Sequence, residues 1–96
     1  MPRRPKRQEP PLVDFSLLTR VGLRPQDIHV IHYLQQGFTI NEIGPILGVS
    51  VSTIKWRLGK IAGILLARRQ AEVVTRAIIT TYQLSEQHGP GGLPLM

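Results

Sequence analysis

Side chains capable of chemistry are concentrated in residues 48–61, which read GVSVSTIKWRLGKI. The stretch combines hydroxyl groups, positive charges and the only tryptophan of the chain, at Ser50, Ser52, Thr53, Lys55, Trp56, Arg57 and Lys60. Hydroxyl and cationic groups donate hydrogen bonds to anionic oxygens, and an indole ring offers a flat apolar face. The chain shows no nucleophile–base pair and no Gly-rich phosphate loop, so we expect a binding protein and not an enzyme.

The composition fits one small domain with an anionic partner. The chain has 96 residues, a formal charge of +6 and an apolar share of 42%. This charge favours nucleic acid over membrane as the partner, although a generic soluble surface would also explain it. No apolar run approaches the roughly 18 residues of a membrane span, and the N-terminus lacks the apolar segment of a secretory signal. We therefore expect a cytoplasmic protein.

Metal and cofactor chemistry have little support in the sequence. The absence of cysteine excludes disulfides and thiolate ligands. His29 and His32 are spaced i, i+3, but they lack a nearby third ligand, so ordinary polar-face histidines are the favoured interpretation. We expect no metal and no cofactor.

The two ends of the chain differ in composition from its centre. Residues 1–11 hold four prolines and four basic residues, Arg3, Arg4, Lys6 and Arg7. Proline disfavours regular pairing, so we expect a flexible basic arm that makes non-specific phosphate contacts or acts only as a solubilising tail. Residues 88–96 form a Gly/Pro-rich tail for which we expect no order. Residues 12–22 have the apolar residues for one or two helical turns, with Asp14 or Ser16 as the cap.

Residues 23–87 predict an all-α domain of four helices. The first begins at Pro25 and ends at Gly37, with Asp27 complementing its positive end. The second begins at a T-x-x-E capping box, Thr39 to Glu42, and ends at Gly48. Pro45 lies inside this second helix, where we expect a kink or an irregularity.

The third helix begins at Ser50 and has apolar residues at spacings of 4, 3 and 4. On a helical wheel, Leu58, Ile61 and Leu65 fall within about 40° of Ile54. Trp56 falls at about 200° from Ile54, so it points away from the core stripe of its own helix. Arg57, at about 300°, flanks that stripe. The exposed face therefore predicts a contact surface that contains the tryptophan.

Two short capped helices joined at Gly48 and Val49 are typical of a helix-turn-helix motif. Residues 23–78 resemble the LuxR/GerE-type helix-turn-helix domain of bacterial transcription regulators. The resemblance rests on LRPQDIHVIHYLQQG, on FTINEIGPILGVSVSTIKWRLGKI and on ILLARRQAEVV, where Glu72 and Val74 fall at the start of a fourth helix. It covers a little over half of the chain.

The resemblance implies a stand-alone transcription regulator that binds double-stranded DNA as a homodimer. Its recognition helix would span about 50–65 in the major groove, with base contacts from Ser52, Lys55 and Trp56. The implied phosphate contacts are Thr39, Asn41, Ser50, Thr53, Arg57 and Lys60. The fourth helix, residues 70–82, resembles the dimerisation helix of these domains, through Val73, Val74, Ala77, Ile78 and Thr81.

The sequence also departs from the pattern of this family. Gly59 stands where a polar contact residue is common, so base contacts should end there. Leu66 replaces a glycine between the third and fourth helices, which leaves fused helices or an extra apolar patch open. Arg57 gives KWRL a similarity to region 4 of sigma factors. The alternative function is therefore a protein-interaction module for RNA polymerase or another regulator, with DNA contact secondary.

Overall fold

The computed structural model describes residues 12–88, and helices are the regular structure of this part of the chain. Four α-helices follow one another: α1 Pro25–Gln35, α2 Ile40–Leu47, α3 Val51–Leu65 and α4 Val73–His88. Short 3-10 helices occupy Ser16–Val21 and Gln70–Glu72. The described residues contain no strand, and the predicted all-α class is confirmed.

Local capping residues define both ends of α1. Pro25 is its first residue, and the carboxylate of Asp27 accepts a hydrogen bond from the amide of Arg24 at 2.9 Å. At the other end Gly37 adopts a φ of +99°, and the amide of Phe38 donates to the carbonyl of Tyr33. The Tyr33 and Phe38 rings meet edge to face. This is a Schellman ending with its usual apolar contact.

The predicted capping box of α2 is confirmed. The Thr39 amide donates to the Glu42 carboxylate at 2.8 Å, and the Glu42 amide donates to the Thr39 hydroxyl at 3.3 Å. The helix continues two residues beyond Pro45, because in so short a helix the missing amide removes only the bond to the Asn41 carbonyl. Gly48, with a φ of +74°, ends it.

The third helix begins and packs as the sequence predicted. The Ser50 hydroxyl accepts a hydrogen bond from the Thr53 amide at 3.1 Å. The four residues of the apolar stripe are all buried: Ile54, Leu58, Ile61 and Leu65. Leu66 ends the helix in the left-handed conformation with a φ of +63°, so α3 and α4 are separate helices. Leu66 itself is 75% exposed.

Residues 12–22 belong to the core of the domain. The backbone of Val13 exchanges two hydrogen bonds with the side-chain amide of Gln35, at 2.8 and 3.0 Å. Phe15 and Leu18 are completely buried. The segment forms a 3-10 helix that packs against both α1 and α4. It thereby covers the side of α4 that the rest of the domain leaves open.

Helices α1 and α2 both pack on α3. Helix α3 contacts α1, α2 and α4, so its buried stripe lies at the centre of the domain. In the part of the chain that the structure describes, no helix is both long enough and apolar enough to cross a membrane.

Candidate nucleic-acid interface

Helices α2 and α3 are joined by a turn that holds them at close range. The amide of Val49 donates to the carbonyl of Gly44 at 2.9 Å, and the amide of Gly48 donates to Pro45. A Cβ atom at Gly44 would lie only 2.9 Å from the Val49 carbonyl oxygen. A side chain there would therefore clash with the turn, and glycine allows the closest approach of α2 to the start of α3.

The three residues predicted to contact bases lie on one exposed face of α3. Ser52, Lys55 and Trp56 are spaced i, i+3 and i+4, which places them one turn apart. Trp56 is 64% exposed. The wheel prediction that this tryptophan points away from the core is confirmed. Gly59 continues the same face one turn further, and a Cβ atom at this position would meet no other atom within 4 Å.

The residues predicted to hold phosphates divide into two groups. Thr39, Asn41 and Ser50 are exposed at the starts of α2 and α3, while Thr53 is half-buried. The hydroxyls of Ser50 and Thr53 lie 3.0 Å apart and hydrogen-bond to each other. The capped starts of both helices therefore present hydroxyl groups together with the positive ends of their dipoles.

Arg57 and Lys60 form the second group, and both have an anionic partner within the chain. The guanidinium of Arg57 lies 2.9 Å from the carboxylate of Asp27, and the ammonium of Lys60 lies 3.2 Å from it. Arg57 also donates to the side chain of Gln26. The Arg57 side chain is only 17% exposed and that of Lys60 30%. Both cations therefore form an ion pair with a carboxylate of the same chain, and their role as phosphate contacts stays a prediction.

Asp27 is the anion at the centre of this group and is completely buried. Its burial would by itself raise the pKa of the carboxyl, but hydrogen bonds from the Arg24 amide, Arg57 and Lys60 outweigh burial and hold the pKa below its usual range. Sequence analysis assigned Asp27 to the helix start alone and missed its ion pairs. The available signal was the position of Arg57 beside the core stripe of α3.

Lys60 connects this buried anion to the exposed tryptophan. Its ammonium lies 5.3 Å from the centre of the Trp56 ring system, over the ring face. This distance is within the range of a cation–π interaction. One lysine thus contacts a buried carboxylate on α1 and an exposed aromatic ring on α3.

Three of the five predicted dimerisation residues of α4 need correction. Val73 and Ala77 are completely buried and Thr81 is 6% exposed, because α4 packs with this side on α1, α3 and the Ser16–Val21 helix. Val74 and Ile78 are half-buried. Val73, Ala77 and Thr81 therefore lie in the interior of a single chain, whereas a dimer contact of Val74 and Ile78 stays a prediction. The exposed apolar residues of α4 are Ile79 and Tyr82, at 37% and 60%.

The two histidines of α1 have different surroundings. His29 is exposed, whereas the Nε2 atom of half-buried His32 accepts a hydrogen bond from the Phe15 amide at 3.1 Å. Burial lowers the pKa of His32, an effect that Asp14 opposes and His29 reinforces. Among residues 12–86, whose side chains the structure describes, no three His, Cys, Asp or Glu residues form a group that could hold a metal ion.

The basic arm and most of the tail lie outside the described residues. This applies to the predicted phosphate contacts of the arm, Arg3, Arg4, Lys6 and Arg7. His88, assigned to the tail by its composition, is the last residue of α4.

Comparisons of the chain with protein-family models, with curated protein sequences and with solved structures found no match in any of the three. The similarity to the LuxR/GerE-type domain stays a prediction, based on the residues quoted above.

Proposed function

We propose that the chain is a transcription regulator that binds double-stranded DNA with a LuxR/GerE-like helix-turn-helix domain. Helix α3 is the recognition helix, and Ser52, Lys55 and Trp56 contact base edges in the major groove. The observation that carries this proposal is the exposure of Trp56 beside Lys55, on a helix whose opposite side is fixed in the core. Contact with DNA bases would remove this apolar ring from water while Lys55 donates to a base edge.

Three further features support the proposal. The charge of +6 attracts a polyanion. Ser52, Lys55 and Trp56 are exposed on one face of α3, and a major groove about 12 Å wide admits an α-helix. The amino ends of α2 and α3 present Thr39, Asn41 and Ser50, whose hydroxyl and amide groups are suited to DNA phosphates. Lysine donates to guanine acceptors, and an indole packs on a thymine methyl or a sugar.

The proposed assembly is a homodimer with two-fold symmetry on an inverted repeat. Such a dimer separates two recognition helices by roughly 34 Å, one turn of DNA. Because Val73, Ala77 and Thr81 are buried within one chain, the contact between copies uses the exposed Ile79 and Tyr82 of α4 instead. Sedimentation over a range of concentrations tests this, and a monomer at every concentration, with and without DNA, contradicts it.

The experiment for DNA binding starts with selection of duplexes from a random pool. Affinity for the selected duplex is then compared for the parent, Lys55→Ala and Trp56→Ala, with helicity checked by circular dichroism. We expect each substitution to reduce affinity about 5-fold or more, as loss of a base contact costs about 1–3 kcal/mol. Leu66→Ala, which removes an exposed apolar side chain at the end of α3, is the control and should retain the affinity of the parent.

The second candidate is a protein-interaction module for RNA polymerase or another regulator. It is favoured by a groove between the N-terminal segment and α4, lined by Leu12, Leu17, Thr81, Tyr82 and other residues. Salt dependence separates the two functions, because release of counterions makes DNA affinity fall steeply with salt. Recovery of polymerase without a salt-sensitive shift of DNA would favour the second function.

A further inference from the structure

We propose that Lys60 and Asp27 are positioning residues that hold the Trp56 indole in the orientation that meets DNA. The inference rests on the proposed function, because it assigns a purpose to the orientation of a base-contacting ring. It replaces the phosphate contact predicted for Lys60 with a role inside the protein. Asp27 acts through Lys60 and touches no DNA in this arrangement.

The contacts form a continuous chain from the core to the surface. The Asp27 carboxylate is fixed by the Arg24 amide at 2.9 Å and by Arg57 at 2.9 Å. The oxygen that accepts from the Arg24 amide, Oδ2, also lies 3.2 Å from the Lys60 ammonium. That ammonium lies 5.3 Å from the centre of the Trp56 rings. A buried anion thus anchors the lysine, and the lysine faces the ring.

The spacing along α3 makes this contact possible. Trp56 and Lys60 are four residues apart, so their side chains are neighbours on the helix surface. An unanchored surface lysine gains little from such a contact, because it loses rotamer freedom. Lys60 has already lost much of that freedom to its ion pair with Asp27. The ring therefore receives a partner that is in place before DNA arrives.

A positioned ring affects selectivity more than general affinity. A side chain that is already immobilised loses less conformational entropy on binding. This increases affinity only for DNA sequences whose bases fit the ring in its fixed orientation. Contacts with phosphates on any sequence do not need the ring. Loss of Lys60 anchoring should therefore weaken binding to the selected duplex while binding to a scrambled duplex changes little.

The test uses the full chain and the fluorescence of Trp56, which is the only tryptophan. Lys60→Met removes the ammonium and keeps most of the side-chain length, while Lys60→Arg keeps a cation. Asp27→Asn removes the anchor and retains an acceptor for the Arg24 amide. Arg69→Met, a change of charge in the segment between α3 and α4, is the control. Thermal unfolding of each variant identifies a temperature at which all are folded.

Acrylamide quenching and anisotropy are measured first without DNA. We expect Lys60→Met and Asp27→Asn to increase the bimolecular quenching rate constant and lower the anisotropy, with a quenching increase of about 1.5-fold or more, since the cation covers one ring face. Lys60→Arg and Arg69→Met should match the parent. Equal quenching and anisotropy in the parent and Lys60→Met would overturn the positioning role, whatever the DNA results.

The second measurement is the ratio of affinities for the selected and the scrambled duplex. We expect this ratio to fall about 3- to 10-fold in Lys60→Met and to recover in Lys60→Arg. An equal loss on both duplexes would show that Lys60 contacts phosphate, and would overturn the inference. A parent that does not discriminate between duplexes would overturn the proposed function instead, and the fluorescence measurements would still decide whether Lys60 orders the ring.

Discussion

The carboxylate of Asp27 and the guanidinium of Arg57 lie 2.9 Å apart, although 30 positions separate them in the chain. Asp27 lies in the first turn of α1, and Arg57 lies in the middle of α3. The contact joins α1 to α3, the helix that exposes Trp56. The carboxylate is buried, whereas both cations are partly exposed. Loss of the ion pairs would therefore cost more free energy at the anion than at the cations.

Removal of this anion should destabilise the domain. We expect Asp27→Ala to lower the free energy of unfolding by about 2–4 kcal/mol, through loss of the helix cap and of the partners of two cations. Denaturant titration measures the change. Asp14→Asn, which removes a negative charge from an exposed position and keeps an acceptor for the Ser16 amide, should lower the free energy of unfolding much less. Equal costs for the two variants would contradict the central role of Asp27.

Acid should remove the contribution of Asp27. Its pKa in the folded chain is lowered from the ordinary 3.8, so the stabilisation is complete above that value and disappears as the pH falls through the lower folded pKa. The difference in unfolding free energy between the parent and Asp27→Asn should therefore shrink below about pH 4. A difference that stays constant from pH 6 to about pH 2.5 would rule out the ionised carboxylate as its source.

His32 should make stability depend on pH in a higher range. Its Nε2 atom accepts a hydrogen bond from the Phe15 amide and must be unprotonated to do so. Since burial lowers its pKa from the ordinary 6.5, the contribution is complete above that value and is lost as the pH falls below it. Melting temperatures at pH 7.5 and 5.5 should differ more in the parent than in His32→Gln, which keeps an acceptor that does not titrate. Identical differences would exclude His32 as the titrating group.

Two glycines should respond to alanine in opposite directions. At Gly44 a Cβ would meet the Val49 carbonyl oxygen at 2.9 Å, whereas at Gly59 it would meet open space. We expect Gly44→Ala to cost about 1–3 kcal/mol of unfolding free energy, and Gly59→Ala to gain about 0.5–1 kcal/mol from helix propensity. Thermal and denaturant unfolding of the pair measures both. Stabilisation by Gly44→Ala would contradict the close approach of α2 to the turn.

Leu66 offers a stabilising substitution. It is the only non-glycine residue between positions 12 and 88 with a positive φ, and its side chain is exposed. Leu66→Gly should raise the unfolding free energy by about 1 kcal/mol, because glycine adopts the left-handed conformation without a Cβ clash. Leu66→Ala removes most of the same side chain but keeps the Cβ atom that clashes in this conformation, so it should change stability little. If alanine stabilises as much as glycine, backbone strain is not the cause.

The N-terminal segment should be required for the fold. Phe15 is completely buried, whereas Leu12 is 56% exposed. We expect Phe15→Ala to cost about 3–5 kcal/mol of unfolding free energy and Leu12→Ala less than about 1 kcal/mol. Denaturant titration distinguishes the two. A small effect of Phe15→Ala would show that residues 12–22 are an appendage and not part of the core.

Helix ends could be predicted from the sequence because their causes are local. Thr39 and Glu42 cap each other within three residues, and Ser50 caps the third helix in the same way. The apolar stripe from Ile54 to Leu65 also follows from spacing alone, and it placed Trp56 on the exposed side. The exposed part of the candidate site was therefore accessible to sequence analysis.

Contacts between distant segments were not predictable in the same way. Helical spacing showed that Val73 and Ala77 lie on an apolar side, but it could not show whether a second copy or residues 12–22 cover that side. The Ser16–Val21 segment is a 3-10 helix, whose period differs from the 3.6 residues that a wheel assumes. The charge of Arg57 predicted an anionic partner, and only the folded chain identifies Asp27 as that partner.

The packing of the Ser16–Val21 helix on α4 has a consequence for protein synthesis. The first described segment of the chain obtains part of its apolar cover from α4, which leaves the ribosome after α1, α2 and α3. Contacts of such sequence separation slow folding, because a long loop must close before they form. The turn between α2 and α3 is local and can form earlier. Phe15 and Leu18 thus depend on completion of α4, so the nascent chain exposes apolar surface until α4 has been synthesised.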